Sequence, residues 1–326
     1  MAARGPVDDD DGEYHWSYTD EPHASRRRAI KRDHPEVKQL EGYDWRAKYL
    51  ALAVWAVQLY VSTVVAHYSW WTMLALAFIV GGTCTQSLTL AIHELSHNLM
   101  FASPRLNRYF SIMLNFPLLF AYAVSFRKYH LEHHKWQGET HVDMDVPSPL
   151  EAKVVGTNPF KKSLWVFFQV LFYALRPVVL RPYAPTRWEI MNWAACLAFD
   201  AAWYYVFGAQ ALVYLFASIV LGLGPHPMAG HFIAEHYVFI DGVETYSYYG
   251  PLNFLAFDVG YHNEHHDFPR VPGFRLRHVR ALAPEYYEDV PQYVSWARVL
   301  FDYVRMPNMS PWSRVKRRSA KAPRNQ

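Results

Sequence analysis

Leu90-Ala91-Ile92-His93-Glu94-Leu95-Ser96-His97-Asn98 closes a long apolar run and sets two imidazoles four residues apart. On a helix, positions i and i+4 share a face, so both rings can reach one ion. Two further histidine boxes follow, His130-Leu131-Glu132-His133-His134 and His262-Asn263-Glu264-His265-His266. Their i, i+3, i+4 spacing again gathers three rings near one face of a helix. Eight of the chain's 17 histidines fall in these boxes. A lone histidine is usually a packed or surface residue. Three clusters, at least two of them abutting apolar segments, point to metal binding.

Eight imidazoles are too many for one tetrahedral zinc, which takes four ligands. Two metals with four or more nitrogens each use them all. Imidazole suits iron, zinc, copper and nickel, so ligand type does not choose among them. Location narrows the choice. A site at a membrane suggests chemistry on a lipid chain, whose C–H bonds are unactivated. Side chains have no redox power for such bonds, so a metal with O2 must supply it, which favours a di-iron oxygenase. His226, His231 and His236 surround a second histidine-bearing stretch, Gly230-His231-Phe232-Ile233-Ala234-Glu235-His236. His231 or His236 is a candidate ninth ligand; the other role open to them is hydrogen bonding around the site. Glu94, Glu132, Glu235 and Glu264 stand beside the histidines, to orient ring N–H groups or to solvate the site.

The opening stretch also fits another chemistry. His93-Glu94-Leu95-Ser96-His97 matches His-Glu-x-x-His, the zinc-protease pattern with glutamate as general base. An intramembrane metalloprotease would leave the other two boxes without a role. A metal storage or transport module is a third class. An apolar tunnel of acyl-chain depth would argue against both.

The chain has 326 residues, 52% hydrophobic and 17% aromatic, with 19% charged, below the roughly 25% charged of a typical globular protein. Its apolar residues are blocked into runs, yet mean hydropathy is only -0.12, so much of the chain stays in water or at an interface. Cys84 and Cys196 both lie in apolar runs, which argues against a disulfide framework or a cysteine-based zinc site. The net charge of +3 is carried at the ends, by Arg26 to Arg28, Lys31 and Arg32, and by Arg314, Lys316 to Arg318 and Lys321. Basic ends fit a nucleic-acid binder or a membrane protein with cytosolic termini, and the apolar runs favour the membrane.

Four spans are expected: Ala47 to Tyr68 and Thr72 to Ile92 as one hairpin, Trp188 to Phe207 and Ala211 to about Met228 as another, turning at Gly208. Phe110 to Phe126 and Ser163 to Leu180 read as interfacial. Asp200, inside the third span, is expected near its luminal end and hydrated. Residues 1 to 13 are Asp-rich and read as disordered; the aromatic Tyr14 to Pro22 stretch should pack on something. His23 to Gln39 reads as a basic helix, either solvated or lying along lipid headgroups. No apolar leader is visible and the start is Met1-Ala2, so a cytosolic, unmyristoylated N-terminus is expected. The fold class is therefore all-α integral membrane, with four transmembrane helices in two hairpins under a cytosolic, histidine-rich di-iron cap. The divisions are a cytosolic segment 1–46, a membrane domain 47–310 and a basic tail 311–326.

The boxes resemble those of the membrane fatty acid desaturase and hydroxylase superfamily. Trp16 to His23, Gly230 to Tyr237, Glu244 to Pro251 and Gly260 to Pro269 look like signatures of sphingolipid delta-4 desaturases, over roughly residues 14 to 305. The resemblance implies His93, His97, His130, His133, His134, His262, His265 and His266 as catalytic ligands of two iron ions. It also implies O2-dependent conversion of dihydroceramide to ceramide by a trans C4–C5 double bond. Electrons would come from a separate cytochrome b5 and its NADH-dependent reductase at the endoplasmic reticulum membrane, since no His-Pro-Gly-Gly haem segment occurs. No nucleic acid is implied. A C4-hydroxylase, or an enzyme doing both reactions, fits the same residues.

Overall fold

The computed structural model describes residues 13–19 and 21–318. The Asp-rich stretch before them and Lys321 lie outside the described residues. The fold is mostly helical. Helix α1 (Pro22–Asp33) precedes the first apolar helix, α2 (Ala47–Val64). After a short turn the chain returns as one continuous helix, Trp70–Ser96, made of α3 (Trp70–Leu76), a π-turn (Ala77–Gly81) and α4 (Gly82–Ser96). Ser69 caps its start, accepting the Thr72 N–H at 3.2 Å, which satisfies one of the free donors at a helix N-terminus. Both Ala47–Val64 and Trp70–Ser96 are long and apolar enough to cross a membrane. They form the expected first hairpin, and box one ends it.

Five shorter helices follow: α5 (Pro104–Leu114), α6 (Ala123–Lys135), α7 (Pro149–Val155), α8 (Pro159–Phe167) and α9 (Gln169–Leu180). Box two rides on α6. The second hairpin is α10 (Arg187–Phe207) and α11 (Ala209–Leu223), turned by Gly208 at φ +79°, a conformation that glycine adopts without the Cβ penalty. The C-terminal half holds α12 (His231–Ala234), α13 (His262–Asp267) with box three, α14 (Gly273–Leu282) and α15 (Trp296–Arg305).

Two expectations shift here. Helix α10 has the length of a span, but Arg187, Glu189, Asn192 and Asp200 keep it outside the helices apolar enough to be one. Two bent pairs do pass together: α8 with α9, bent by 74°, and α11 with Pro227–Ala234, bent by 41°. The α8–α9 ledge, read above as interfacial, is thus as apolar as a span but sharply broken. Its second limb is tied down by Arg176, which pairs with Glu151 at 2.9 Å and donates to the Met144 and Asp145 carbonyls at 3.0 and 2.9 Å. Asp200 lies half-buried in α10, with its Oδ1 buried and without a hydrogen-bond partner among the described residues. Cys84 and Cys196 are free and buried, in keeping with the absence of a disulfide framework.

The hairpins meet where side chains are smallest. A Cβ on Gly222 of α11 would lie 2.7 Å from Gly82 Cα, and one on Gly81 2.0 Å from Ser218 Oγ. Gln86 seals the contact, donating to the Gly222 carbonyl at 2.8 Å. In lipid, with little hydrophobic drive between helices, close backbone approach and interhelical hydrogen bonds hold a pair together.

The two described ends of the chain pair with each other and with the body of the fold. Strand β1 (His15–Ser17) pairs in parallel with β4 (Val315–Arg317), while β2 (Ser247–Tyr248) pairs with β3 (Gln292–Tyr293). Tyr14 packs edge-on against Trp312 at 4.6 Å and donates to the Pro147 carbonyl at 2.6 Å. Arg314 and Arg317 are buried and paired with Asp145 and Glu244. Helix α1 is more than a solvated helix: His23 and Ile30 are buried, and the helix packs on α13. Low apolarity hid this: only Ile30 packs in an apolar cluster, with Phe268 and Val271, and the other buried contacts are polar.

Gly222→Leu should force α4 and α11 apart, at a cost of about 1–3 kcal/mol or more for overpacking. Thermal unfolding of the purified protein in detergent should show a clear loss, whereas Val213→Leu, on the exposed face of the same helix, should leave the midpoint unchanged.

Candidate metal centre

Each box is placed by a different element. His93 sits in the last turn of α4 and His97 at its C-cap. His130, His133 and His134 lie in the last two turns of α6; His262, His265 and His266 fill the short α13. The structure brings all eight together and sorts them into two groups. His93, His97, His130, His134 and His265 form one, with a nitrogen of each within 4.8 Å of the others. His133, His236 and His266 form the second by the same measure. His262 joins it, with its Nε2 2.9 Å from that of His236. Helical spacing explains the sorting. In box two the i, i+4 pair goes to the first group and the intervening ring to the second; box three does the reverse. The groups share a wall where the His134 and His266 rings stack at 4.1 Å.

Of the two extra histidines, only His236 enters. His231 turns to the Met228 carbonyl, 2.8 Å from Nδ1, and packs on Phe232 and Trp296. His226 caps the turn before it.

Burial, reinforced by the neighbouring imidazoles, holds His130, His134, His262, His265 and His266 well below the ordinary histidine range. For His97 the added causes are His93 and Arg127, and for His236 they are led by His133. The rings are therefore neutral and carry lone pairs. His133 is the exception: burial pushes it down, but Asp143 outweighs that and raises it. Asp143 lies 3.0 Å from His133 Nδ1 and also accepts the Gly138 N–H at 2.6 Å. His133, Arg314 and that N–H overcome the burial of its carboxyl and keep it ionised.

These contacts test whether a cation fits. A carboxylate or carbonyl can only accept, so the partner ring nitrogen must donate. His133 therefore carries its proton on Nδ1, toward Asp143, and His236 on Nδ1, toward the Glu244 carbonyl at 3.3 Å. Their Nε2 atoms then face each other at 3.0 Å, with room for at most one proton between them. Nε2 pairs also stand at 2.8 Å (His97–His130), 3.1 Å (His130–His134) and 3.1 Å (His134–His265). Ring nitrogens of His93, His134, His262, His265 and His266 are buried with no hydrogen-bond partner among the described residues. A buried cluster of imidazoles whose nitrogens converge, several of them without a hydrogen-bond partner among the described residues, is a donor set of the kind a cation takes, so the residues fit a metal.

The glutamates do other work. Glu94 accepts the Gly273 N–H at 2.9 Å, tying α4 to the start of α14. Gly273 must be glycine there, since a Cβ would lie 1.8 Å from the Phe257 carbonyl oxygen. Glu264 accepts from Ser247 and Tyr249 at 2.7 and 2.6 Å. Glu132 pairs with Arg181 and Tyr183, and Glu235 stands 3.6 Å from His262 Nδ1. Sequence reasoning missed Asp143 and Asp267; the latter directly follows box three. A small apolar cleft of about 160 Å³, lined by Ala53, Val54, Val57, Thr83, Cys84, Ser87 and Leu255, flanks α4 just before box one.

Apolar helices carrying a buried double cluster of imidazoles at their ends describe a membrane-bound fatty acid desaturase. The model of that family matches residues 68–297, and the chain belongs to the family as an oxidoreductase of lipid metabolism. Within it, the chain belongs with the sphingolipid delta(4)-desaturases, whose own N-terminal model matches residues 10–46. It is 49% identical over 324 residues to a sphingolipid delta(4)-desaturase-like protein of Oryza sativa subsp. japonica, covering 98% of each chain. It is 47% identical over 308 residues to the sphingolipid delta(4)-desaturase of Drosophila melanogaster, covering 94% of this chain and 96% of the relative. A human relative named sphingolipid delta(4)-desaturase/C4-monooxygenase is 46% identical over 307 residues, 94% of this chain and 95% of its own. The protease reading of box one falls with this membership, and with the seating of His93 and His97 among three rings from other boxes.

Glu94→Gln keeps an acceptor for Gly273 and should retain lipid turnover to within about tenfold, whereas loss of a general base costs roughly 100-fold or more. Glu94→Ala orphans the Gly273 N–H and should lower stability by about 1–3 kcal/mol. Turnover and thermal unfolding of the two variants separate the roles.

Proposed function

We propose that the protein converts dihydroceramide to ceramide, removing one hydrogen from C4 and one from C5 of the sphinganine backbone to leave a trans double bond. O2 is the oxidant, and two external electrons with two protons complete its reduction to water. The observation that carries the reading is the pair of imidazole clusters at the ends of apolar helices, in a chain similar over nearly its full length to sphingolipid delta(4)-desaturases.

His93, His97, His130, His134 and His265 would hold one iron ion, and His133, His236, His262 and His266 a second. Bound there, the two irons would supply O2 activation strong enough to attack an unactivated C–H bond, chemistry that no side chain performs. The protein's own part is positional. Asp143 and the Glu244 carbonyl fix the tautomers of His133 and His236, so that Nε2 is the ligand atom in each. Phe126, stacked on His130 at 4.9 Å, gives the first cluster an apolar wall against water. The cleft beside α4 gives a segment of lipid tail a dry seat near box one.

The helices fit two hairpins, α2 with α3–α4 and α10 with α11, as four spans, with the polar Glu189 and Asn192 of α10 buried. The β1–β4 pairing keeps the two described ends together, beside the loop after box two, where Glu139 also bridges to Arg317. This supports both ends and the clusters on one side, the cytosolic face of the endoplasmic reticulum. There a separate cytochrome b5 and its reductase would deliver electrons. C4-hydroxylation is the second reading, favoured by the human relative whose name carries both reactions.

Expression in cells lacking sphingolipid desaturation, followed by lipid mass spectrometry, tests the reading. Dihydroceramide should lose two hydrogens; gain of one oxygen supports the hydroxylase, and an unchanged lipid profile refutes both. His236→Ala should lower iron bound per purified chain and abolish turnover. His231→Ala, outside both clusters, should keep its iron. Equal iron content in the two variants would remove His236 from the ligand set.

A further inference from the structure

The general desaturase match begins at residue 68, so it says nothing about the N-terminal segment that the sphingolipid model matches. The structure gives that segment a place. Helix α1 lies against α13, and its contacts converge on the two residues that follow His262 and His266 in the chain. His23 is buried, with Nδ1 2.8 Å from Asp267 Oδ1 and Nε2 3.0 Å from Thr245 Oγ1. Its ring lies 4.8 Å from that of His266. Arg26 donates through Nε to Asp267 Oδ2 at 2.5 Å and through Nη2 to Asn263 Oδ1 at 2.8 Å. Tyr287 adds a third donor to Asp267, at 2.8 Å. Glu21 caps α1 through the His23 and Ala24 N–H groups, at 2.6 and 3.1 Å, which fixes the turn that carries His23.

Helix α13 needs such help. It has six residues and no side-chain cap at its N-terminus, and helices this short have no stability of their own. Its orientation must come from what grips it. Asp267 is fully buried, and a buried carboxylate persists only when paired and hydrogen-bonded. The grip extends beyond α13. Thr245 Oγ1, which faces His23, also accepts from Gln137 at 3.2 Å, two residues past α6, while Asn263 Nδ2 donates to the Thr245 carbonyl at 3.2 Å. One imidazole thus links α13 to the segment between His236 and β2, and through Gln137 to the end of box two.

We propose that α1 is a positioning element of the metal centre. His23 and Arg26, acting through Asp267 and Asn263, set the pose of the helix that presents His262, His265 and His266. This rests on the reading of those histidines as iron ligands. Neither His23 nor Arg26 stands in either imidazole group, so they act on the metal only through α13.

Fe(II) titration of the purified full-length chain, with iron counted per chain at fixed free Fe(II), tests the proposal alongside thermal unfolding of the metal-free protein. His23→Ala should weaken Fe(II) binding by about 10–100-fold, the range seen when groups that orient metal ligands are removed. His23→Asn, which presents an N–H near the position of Nδ1, should recover most of the affinity. His23→Gln, whose longer side chain reaches toward Thr245 instead, should not. The loss in a His23→Ala/Asp267→Asn double variant should not exceed that of Asp267→Asn alone, because residues acting through one another are non-additive. Wild-type affinity in His23→Ala, equal behaviour of the Asn and Gln variants at matched unfolding temperature, or full additivity would each overturn it. His262→Ala is the control on the underlying reading. If it binds iron as the wild type does, the ligand assignment fails, whatever His23 does.

Discussion

Two ring nitrogens, the Nε2 atoms of His133 and His236, face each other across 3.0 Å, and much of the fold serves to keep them there. Each ring is held from behind by an acceptor, Asp143 for one and the Glu244 carbonyl for the other, so Nδ1 is turned outward and Nε2 inward. Similar crowding recurs from His97 through His130 and His134 to His265. A pocket lined by so many imidazole nitrogens offers a cation a ready set of ligands. The surrounding polar network, including Arg314 on Asp145 and Arg317 on Glu244, therefore acts as a frame that resists the opening of the clusters.

The frame spans distant parts of the chain. Box one comes from the first hairpin, box two from a helix that follows it, and box three from a short helix near the C-terminal end. Three ties bring them to one depth. Close helix contact at Gly82 and Gly222 sets α4 against α11. The Glu94–Gly273 hydrogen bond joins box one to the turn after box three. Helix α1, through His23 and Arg26, holds α13 against the segment that supplies His236. Each tie uses either a missing side chain or a buried polar pair, the means available where water and strong hydrophobic contrast are both scarce.

The boxes were legible because metal ligation needs many imidazoles at helical spacing, a pattern that chance and ordinary packing do not make. The first hairpin was legible as two uninterrupted apolar runs separated by a few residues. The second was less so. Its turn at Gly208 was readable, but α10 carries enough polar residues to fall outside simple span composition, and the α8–α9 ledge is more apolar than its position in the chain suggested. Helix α1 read as a solvated or headgroup-facing helix because a single buried isoleucine, Ile30, makes no hydrophobic period, and the rest of its buried face meets a carboxylate, an amide and a threonine. Likewise the basic residues near the C-terminus read as surface charge, whereas Arg314 and Arg317 are neutralised inside the fold by acids more than 70 residues away in the chain.

Sequence alone determined the chemistry available: eight box histidines, the apolar runs that bring them to a membrane, and the family that this combination marks. Those follow from residue type and local spacing. Tertiary structure decided how the imidazoles divide, five with one cluster and four with the other, and that His236 rather than His231 completes the second. It also decided that Glu94 is a tie between elements, and that the N-terminal helix grips box three. Each of these depends on which elements touch, and residues far apart along the chain share no spacing from which such contacts can be read.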